Sequence, residues 1–240
     1  MDLSIVIPAF EESKKISRDV ESAAKFLESN HLAGEIIIVD DGSKDNTCEI
    51  AGSVKIPPQV TRKVIRCQQH RGKGHAVRKG IMESKGRYVM FADSGCCVPY
   101  ENVLRGLELL KSDQCDIAHG SRKMQGCHIE KAQSPYRRIC SRLFHWYVVH
   151  RMKLPPELTD TQCGFKIYRG DVARRLYGES VTNGFAFDIE IIMRAQKEGY
   201  RIKEFPLHWS CDRDSRLSPT RSLRRVLSEL LTIKRVLSGK

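Results

Sequence analysis

Long hydrophobic runs are missing from this 240-residue sequence. A helix that crosses a bilayer needs about 20 consecutive apolar residues, and no stretch of the chain approaches that length. The N-terminus passes from Met1 directly into a strand-like segment, without the pattern of a signal peptide. We therefore expect a chain that is neither secreted nor an integral membrane protein.

Cysteine is present, but not in the arrangement that a disulfide framework or a zinc finger would require. The nine cysteines are irregularly spaced and odd in number, so they cannot all pair. Cys96 and Cys97 are adjacent, which is not the Cys-x-x-Cys spacing of a zinc site. We predict reduced thiols, as in cytosolic proteins, and a structural role for this pair.

Two common nucleotide-binding motifs are also absent. The stretch RGKGHAVRKG does not fit the P-loop frame, and no Gly-x-Gly-x-x-Gly follows the first predicted strand. These absences argue against a P-loop kinase and against a dinucleotide-dependent dehydrogenase.

Positive charge is in excess, with 41 Lys and Arg against 29 Asp and Glu and a net charge of +12. This excess indicates an anionic partner, which could be a nucleic acid, an anionic membrane surface or a phosphorylated substrate. Aromatic residues make up only 7% of the chain and are not interleaved with the basic residues as in base-stacking platforms. We therefore predict no nucleic-acid partner, with a basic RNA-binding domain as the alternative.

Strand-like and helix-like segments alternate through the first half of the chain. Residues 3–7 predict a first strand that Pro8 stops, and the next helix carries Ile16, Val20, Ala23 and Leu27 on one face. Further strands are predicted at 35–39, 63–67, 88–92 and 116–120, with helices at 76–84 and 100–111. This order predicts an α/β fold with a mostly parallel central sheet flanked by helices.

The second half of the sequence is less regular. Helices are predicted at 135–153, 170–177 and 185–197, a last strand at 202–209, and a basic amphipathic helix at 219–240. Since no repeat or Gly/Ser linker divides the chain, we assign 1–218 to one domain and 219–240 to a C-terminal helix.

Carboxylates follow two of the predicted buried strands. Asp40 and Asp41 end the run IIIV, and Asp93 ends YVMFA. Right-handed crossovers bring the carboxyl ends of parallel strands to one edge of the sheet, where α/β proteins bind ligands. The alternative is that these residues are ordinary turn formers or helix caps.

Eight stretches that span nearly the whole chain resemble, in order, glycosyltransferase family 2, and within it the enzymes that load a sugar onto dolichyl or other polyprenyl phosphates. The stretches are SIVIPAFEE, IIIVDDGSKDNT, GKGHAVRKG, FADSG, HGSR, DTQCGFKIYR, FAFDIEI, and EFPLHW followed by RDSRL. The resemblance implies a GT-A-like fold and an inverting transfer of a hexose, with glucose favoured, from a nucleoside-diphosphate sugar to a polyprenyl phosphate. A family member with a glycan or other soluble acceptor, or a non-catalytic nucleotide-sugar binder, are the alternatives.

The resemblance also implies a nucleotide-sugar pocket, with UDP-glucose as the favoured donor. Its residues would be Pro8, Phe10, Glu12, Val39, Asp41, Lys73, Asp93 and Ser94. Phe10 and Glu11 stand where the family usually has Tyr and Asn, so the base is less closely defined. The Gly-Lys-Gly stretch at 72–74 could instead be a plain surface loop.

A metal site is implied at Asp93, where the family has Asp-x-Asp and would bind Mg²⁺ or Mn²⁺ to neutralise the departing diphosphate. Here Gly95 replaces the second Asp. A single carboxylate could still bind the ion weakly, cationic side chains could replace the ion, or activity could be impaired. In the last case Gly95→Asp is expected to restore turnover.

Catalytic roles are implied for Asp93, Arg122, Asp160 and Arg216, and acceptor-phosphate binding for Arg122, Arg137 and Gln162. The family usually has Lys at position 216. An acceptor phosphate is already anionic and needs no general base, whereas an alcohol acceptor would need one. Asp160 and the pair Asp188 and Glu190 are the candidates for that base, and the pair could equally be helix N-terminal charges.

Two predicted helices, 135–153 and 219–240, have a basic polar face and an apolar face. Helices of this kind lie in the membrane interface, so we predict peripheral contact with the cytoplasmic face of a membrane. A membrane-spanning partner subunit would be compatible with that location. Packing of the apolar stripes against the protein core is the alternative.

Overall fold

The computed structural model describes residues 1–131, 135–210 and 219–238. Its helices and strands follow one another in this order: β1 (Leu3–Ala9), α1 (Ile16–Ser29), β2 (Gly34–Asp40), α2 (Thr47–Ser53), β3 (Thr61–Arg66), α3 (Lys73–Met82), β4 (Tyr88–Ala92), α4 (Asn102–Lys111), β5 (Ile117–Ser121), β6 (His128–Lys131), α5 (Pro135–Met152), β7 (Phe165–Arg169), α6 (Gly170–Gly178), α7 (Phe187–Lys197), β8 (Ile202–Pro206), β9 (His208–Ser210) and α8 (Pro219–Leu237).

The central sheet has seven strands in the order β3-β2-β1-β4-β7-β5-β8. Only β7 runs against its neighbours, pairing antiparallel with both β4 and β5. The prediction of a mostly parallel sheet flanked by helices is therefore confirmed. The segment that forms β7 was not predicted as a strand, and its place between β4 and β5 is decided by tertiary packing.

Both faces of the sheet are buried, which explains the unbroken apolar runs in its central strands. Along β2, Ile36 and Ile38 face one core cluster, whereas Ile37 and Val39 face the other. The predicted apolar face of α1 packs into the first cluster, where its four residues are 0% exposed. The sheet is thus fixed from both sides.

Three predicted boundaries were wrong. Pro8 does not stop β1, because pairing with β4 ends at Val6 and Pro8 lies where β2 is the remaining paired neighbour. The last strand divides at Leu207 into β8 in the main sheet and β9, which pairs with the unpredicted β6. Helix α3 begins at Lys73 rather than Ala76, so the predicted loop lysine lies in the first turn of a helix.

The two amphipathic helices bury part of their apolar stripes in the same core cluster. Leu230 and Ile233 of α8 are buried in a third core cluster with residues of α5 and α7, so core packing accounts for that part of its stripe. In α5, Val148 and Met152 are buried in the same cluster. The predicted boundary at residue 218 falls outside the described residues, and the division into two parts stays a prediction.

Candidate functional site

The site begins where β2 ends, at Asp41. The side chain is 3% exposed and accepts hydrogen bonds from the backbone N–H of Gly72, at 2.6 Å, and of Arg71. His70 and His75 place Nδ1 atoms 2.8 and 3.3 Å from its two carboxylate oxygens. Asp41 therefore ties the end of β2 to the loop that enters α3.

An aromatic surface lies beside this carboxylate. The rings of Phe10 and His70 stack with their centroids 3.9 Å apart. The backbone N–H of Glu12 donates to Thr47 Oγ1, which joins the end of β1 to α2. Pro8 is buried in β1, and Val39 is buried in the second core cluster, so both are core residues of their strands.

Lys73, the first residue of α3, connects the two acidic strand ends. Its Nζ lies 2.5 Å from Asp93 Oδ1 and 5.8 Å from the ring centres of Phe91 and Phe187. Burial would lower the pKa of Lys73, but the neighbouring carboxylates, Asp93 foremost, raise it above its ordinary value. The ammonium is a fixed positive charge between the two strand ends.

A buried carboxylate holds the loop that follows Asp93. Asp19 on α1 accepts hydrogen bonds from the backbone N–H groups of Gly95 and Cys96 at 2.8–2.9 Å, and from the Cys96 thiol. Gly95 has φ of +99°, a left-handed conformation that favours glycine. Asp19 therefore fixes the backbone at the position where the family's second metal carboxylate would stand. Ser94 lies half-buried in this loop.

A second ion pair lies beneath the first. Lys166 Nζ is 2.6 Å from Asp188 Oδ1, and both side chains are at most 4% exposed. Burial raises the pKa of Asp188, and the lysine opposes that shift. Glu190, by contrast, accepts hydrogen bonds from the backbone of Val181 and Thr182 and pairs with Arg194. Glu190 is therefore a structural residue.

The third part of the site is a bidentate pair at the end of β5. Arg122 donates from Nε and Nη2 to the two oxygens of Asp160, at 2.6 and 2.8 Å. Burial would raise the pKa of Asp160, but the guanidinium lowers it to about 2. The guanidinium also lies 5.4 Å from the ring centre of Trp209. Asp160 thus fixes both the charge and the orientation of Arg122.

The loop 160–164 brings this pair to Asp93. Gly164 lies directly against the Asp93 side chain, and a Cβ built on it would be 2.0 Å from Asp93 Oδ2. Only glycine therefore fits at this position. The backbone N–H of Asp93 donates to the Gly164 carbonyl. Because β1, β2, β4 and β5 all end at the same edge, Asp41, Lys73, Asp93 and Arg122 form one site.

Three other residues were predicted to belong to the site, Gln162, Arg137 and Arg216. Gln162 lies half-buried in the same loop and donates to the Phe185 carbonyl at 3.3 Å. Arg137 lies in the first turn of α5, and its side chain is outside the described part of the chain. Arg216 also falls outside the described residues.

Sequence reasoning missed Asp19, Lys166 and the two histidines around Asp41. Asp19 and Lys166 lie within an ordinary amphipathic helix and a strand, and only their burial at 1% exposure distinguishes them. His70 and His75 flank the Gly-Lys-Gly stretch, and that position was the available signal.

The metal prediction was tested against the donor atoms near Asp93. In the described part of the chain, the one group of three close donor residues is Asp41, Cys67 and His75, and Asp93 is not in it. The Asp93 side chain is 41% exposed, however. A lone, accessible carboxylate fits the manner in which Mg²⁺ is commonly held, by one or two carboxylates together with substrate phosphates and water.

A mostly parallel sheet with acidic residues after two strands, and an arginine held by Asp160 at the same edge, is the arrangement expected of a GT-A glycosyltransferase. The chain belongs to glycosyl transferase family 2, whose model matches residues 4–177. It is therefore a nucleotide-sugar-dependent glycosyltransferase, as the sequence predicted.

Two similar relatives are both dolichyl-phosphate beta-glucosyltransferases. The Dictyostelium discoideum protein is 30% identical over 97% of this chain and 73% of its own length. The Homo sapiens protein is 32% identical over 99% of this chain and 76% of its own length. These likenesses agree with the branch of the family that the motifs indicated.

The fold matches glucosyl-3-phosphoglycerate synthase from Mycobacterium tuberculosis. A crystal structure with Mn²⁺, UDP and glucosyl-3-phosphoglycerate has a TM-score of 0.71 and 18% identity, over 97% of this chain and 79% of the other. A second, with Mg²⁺ and UDP, has a TM-score of 0.68 at 18% identity, over the same shares. At this identity the likeness demonstrates the fold alone.

Proposed function

We propose that this chain transfers glucose from UDP-glucose to a dolichyl-type polyprenyl phosphate, with inversion at the anomeric carbon. The names of the two relatives support the sugar and the acceptor. The observation that carries the proposal is the meeting of Asp41, Lys73, Asp93 and Arg122 at one sheet edge. That edge would hold the donor diphosphate and the acceptor phosphate side by side.

The donor would lie across the ends of β1, β2 and β4. Asp41 would accept from the base, the planar surface of Phe10 would stack on it, and Glu12 would reach the ribose. Pro8 and Val39 would support this pocket from the core. Lys73 and the half-buried Ser94 would contact the diphosphate, where the ammonium offsets the charge that develops as UDP leaves.

Arg122 would bind the acceptor phosphate. A guanidinium has five N–H donors in a planar fork, and Asp160 engages the Nε and Nη2 groups, so donors remain for a phosphate. Gln162, Arg137 and Arg216 would complete this subsite. The role of Asp160 would be to position Arg122.

The acidic groups of the site favour an acceptor that is already an anion. A general base works best with a pKa near the working pH, whereas Asp160 has a pKa of about 2. Asp188 is engaged by Lys166. A phosphate monoester needs no proton removed before it attacks, so the site would act mainly by holding two anions in line.

Asp93 would be the protein ligand of a Mg²⁺ or Mn²⁺ ion that arrives with the diphosphate. The titles of the structural neighbours name these ions together with UDP. When bound, the ion would supply Lewis-acid neutralisation of the leaving group. Lys73, already beside Asp93, would supply part of that charge from the protein itself.

Helix α5 would hold the enzyme at the membrane. Ile139, Leu143 and Trp146 are 56%, 64% and 56% exposed on one side of the helix, with exposed Arg138 and Arg142 beside them. Each basic residue near anionic lipid contributes about 1 kcal/mol. No helix in the described ranges is both long and apolar enough to cross a bilayer, so we propose peripheral contact at the cytoplasmic face, alone or beside a membrane-spanning subunit.

Nearby charges link this helix to the acceptor subsite. The pKa of His145 on α5 is lowered, first by burial and next by the charge of Lys123, with Asp160 also in range. This electrostatic influence supports a position of helix α5 on the same side of the site as the Arg122–Asp160 pair. A phosphate whose prenyl chain remains in the membrane would reach Arg122 from this side.

The test is transfer of labelled glucose from UDP-glucose into an organic-extractable product by the purified chain with dolichyl phosphate and Mg²⁺ or Mn²⁺. Asp41→Ala should abolish UDP binding and transfer, whereas Asp113→Asn, in an exposed ion pair elsewhere, should leave both unchanged. Transfer to a soluble glycan but not to lipid phosphate would contradict the acceptor. UDP binding without transfer to any acceptor would contradict catalysis.

A further inference from the structure

Three different ligand types meet at the ends of β2, β3 and α3. A carboxylate oxygen of Asp41, the Sγ of Cys67 and an imidazole nitrogen of His75 all lie within 4.8 Å of one another. We propose that these residues form a zinc site, separate from Asp93, and that zinc bound there competes with the nucleotide. The metal site stands on its own geometry, and the competition rests on the proposed role of Asp41 in nucleotide binding.

The spacing of the nitrogen and oxygen ligands fits a shared ion. His75 Nδ1 lies 3.3 Å from Asp41 Oδ1, which is long for a hydrogen bond. Two such ligands at about 2.0–2.1 Å from a tetrahedral zinc ion lie about 3.3–3.4 Å apart. The sulfur needs to approach by at most about 1.2 Å to reach its zinc distance, which is within the range of a side-chain rotation.

The backbone holds the three ligands in place. The N–H of Cys67 donates to the Asp40 carbonyl at 2.8 Å, so the end of β3 is fixed beside Asp41. His75 lies in the first turn of α3, whose entry is held by the bond from Gly72 to Asp41. His70 Nδ1 contacts the other oxygen of Asp41 at 2.8 Å and would orient the carboxylate from outside the metal.

The charges and chemical types select zinc over magnesium. Thiolate and imidazole ligands suit Zn²⁺, whereas Mg²⁺ prefers oxygen. One carboxylate and one thiolate balance the two charges of the ion when the imidazole is neutral. Lys79 Nζ lies 3.7 Å from the sulfur and donates to it, which places a positive charge beside the thiolate that zinc binding requires.

Zinc and a nucleotide could not both use Asp41. Gly72, Arg71 and His70 already engage one oxygen of Asp41, so a base would have to take the place of His75 at the other oxygen, and zinc would hold His75 there. Zinc bound at this site would therefore inhibit the enzyme, because it occupies the carboxylate that the donor substrate needs.

Zinc affinity is measured on the untagged chain by competition with a chromophoric chelator. We expect one zinc per chain, weakened at least about tenfold in Cys67→Ala and in His75→Ala. Cys115→Ala, which removes a buried thiol from a different core cluster, is the matched control and should bind as the parent does. Circular dichroism melts establish that each variant is folded, and His75 is the more accessible of the two ligands.

Cobalt provides the spectroscopic check. Co²⁺ bound at this site should give a thiolate-to-metal charge-transfer band in the near ultraviolet that is lost in Cys67→Ala and kept in Cys115→Ala. Unchanged zinc affinity in folded Cys67→Ala, or a cobalt complex of the parent without the thiolate band, would overturn the site.

Calorimetry with UDP tests the competition. A zinc concentration that saturates the parent but not Cys67→Ala should weaken UDP binding at least tenfold in the parent and leave it unchanged in Cys67→Ala, whose zinc-free UDP affinity should equal that of the parent. Simultaneous binding of zinc and UDP would overturn the competition. Zinc binding with no UDP binding at all would instead refute the proposed function and leave the zinc site standing.

Discussion

Replacing Asp160 by Asn tests the central part of the acceptor subsite. The change keeps the shape of the side chain but removes the charge that faces Arg122. An amide can accept from one N–H of the guanidinium, but it cannot hold both the Nε and Nη2 donors. We expect Arg122 to lose its fixed orientation while the fold is retained.

The effect on stability follows from the depressed pKa. Because Asp160 has a pKa of about 2 in the folded chain, against an ordinary 3.8, its ionised form contributes roughly 2 kcal/mol at neutral pH, at about 1.4 kcal/mol per unit. This contribution is complete above the ordinary pKa and is lost as the pH falls through the folded value. Because Arg122 is 20% exposed and keeps one N–H bond to the amide, we expect the substitution to cost about 2 kcal/mol and no more.

Chemical unfolding at pH 7 and melts between pH 6 and 2 measure these quantities. Asp160→Asn should unfold more readily at pH 7 and lose less further stability between pH 4 and 2 than the parent. Its transfer rate to lipid phosphate at low acceptor concentration should fall about 100-fold, as expected when a positioning group is lost, with UDP affinity retained. Unchanged acceptor kinetics in a stable Asp160→Asn protein would refute the role of the pair.

Three other substitutions probe the rest of the site. Gly164→Ala should reduce transfer about 100-fold by displacing Asp93. Gly52→Ala, which has nothing within 4 Å of the new Cβ, should be neutral. Equal transfer rates in the two variants would contradict the close contact between Gly164 and Asp93. Lys73→Met should lower kcat about 100-fold and make activity more dependent on Mn²⁺, and a metal titration that matches the parent would exclude its electrostatic role. Trp146→Glu should weaken sedimentation with anionic vesicles severalfold without changing transfer to a short-chain, water-soluble polyprenyl phosphate, and undiminished vesicle binding would exclude α5 as the membrane contact.

The convergence of the two acidic strand ends could be predicted because it follows from sheet topology. Parallel strands that end in Asp41 and Asp93 must present them at one edge, and the structure joins them through Gly72 and Lys73. The order of motifs was sufficient to identify the family. Local sequence was therefore sufficient to predict which edge of the sheet carries the candidate site.

The buried hydrogen bonds and ion pairs that hold the site's loops could not be predicted, because they join segments that are distant in the sequence. Asp19 is 76 residues from Gly95, and Lys166 is 22 residues from Asp188. In the sequence, Asp19 resembles an ordinary helix surface residue, and Lys166 an ordinary strand residue. The reversed strand β7, which carries Lys166, was missed for the same reason, since its position between β4 and β5 is decided by tertiary packing.

The structure also changes the interpretation of Gly95 as a lost metal ligand. The sequence suggested that Gly95→Asp would restore a lost metal ligand, as if a carboxylate alone were missing. In the fold, that backbone has φ of +99° and its N–H is held by Asp19, so any side chain there adds strain of about 1–3 kcal/mol. Lys73 already places a positive charge against Asp93. The loop therefore requires glycine at position 95, and Lys73 supplies a positive charge from the protein. A second carboxylate at this position would have to break the hydrogen bonds to Asp19 before it could bind an ion.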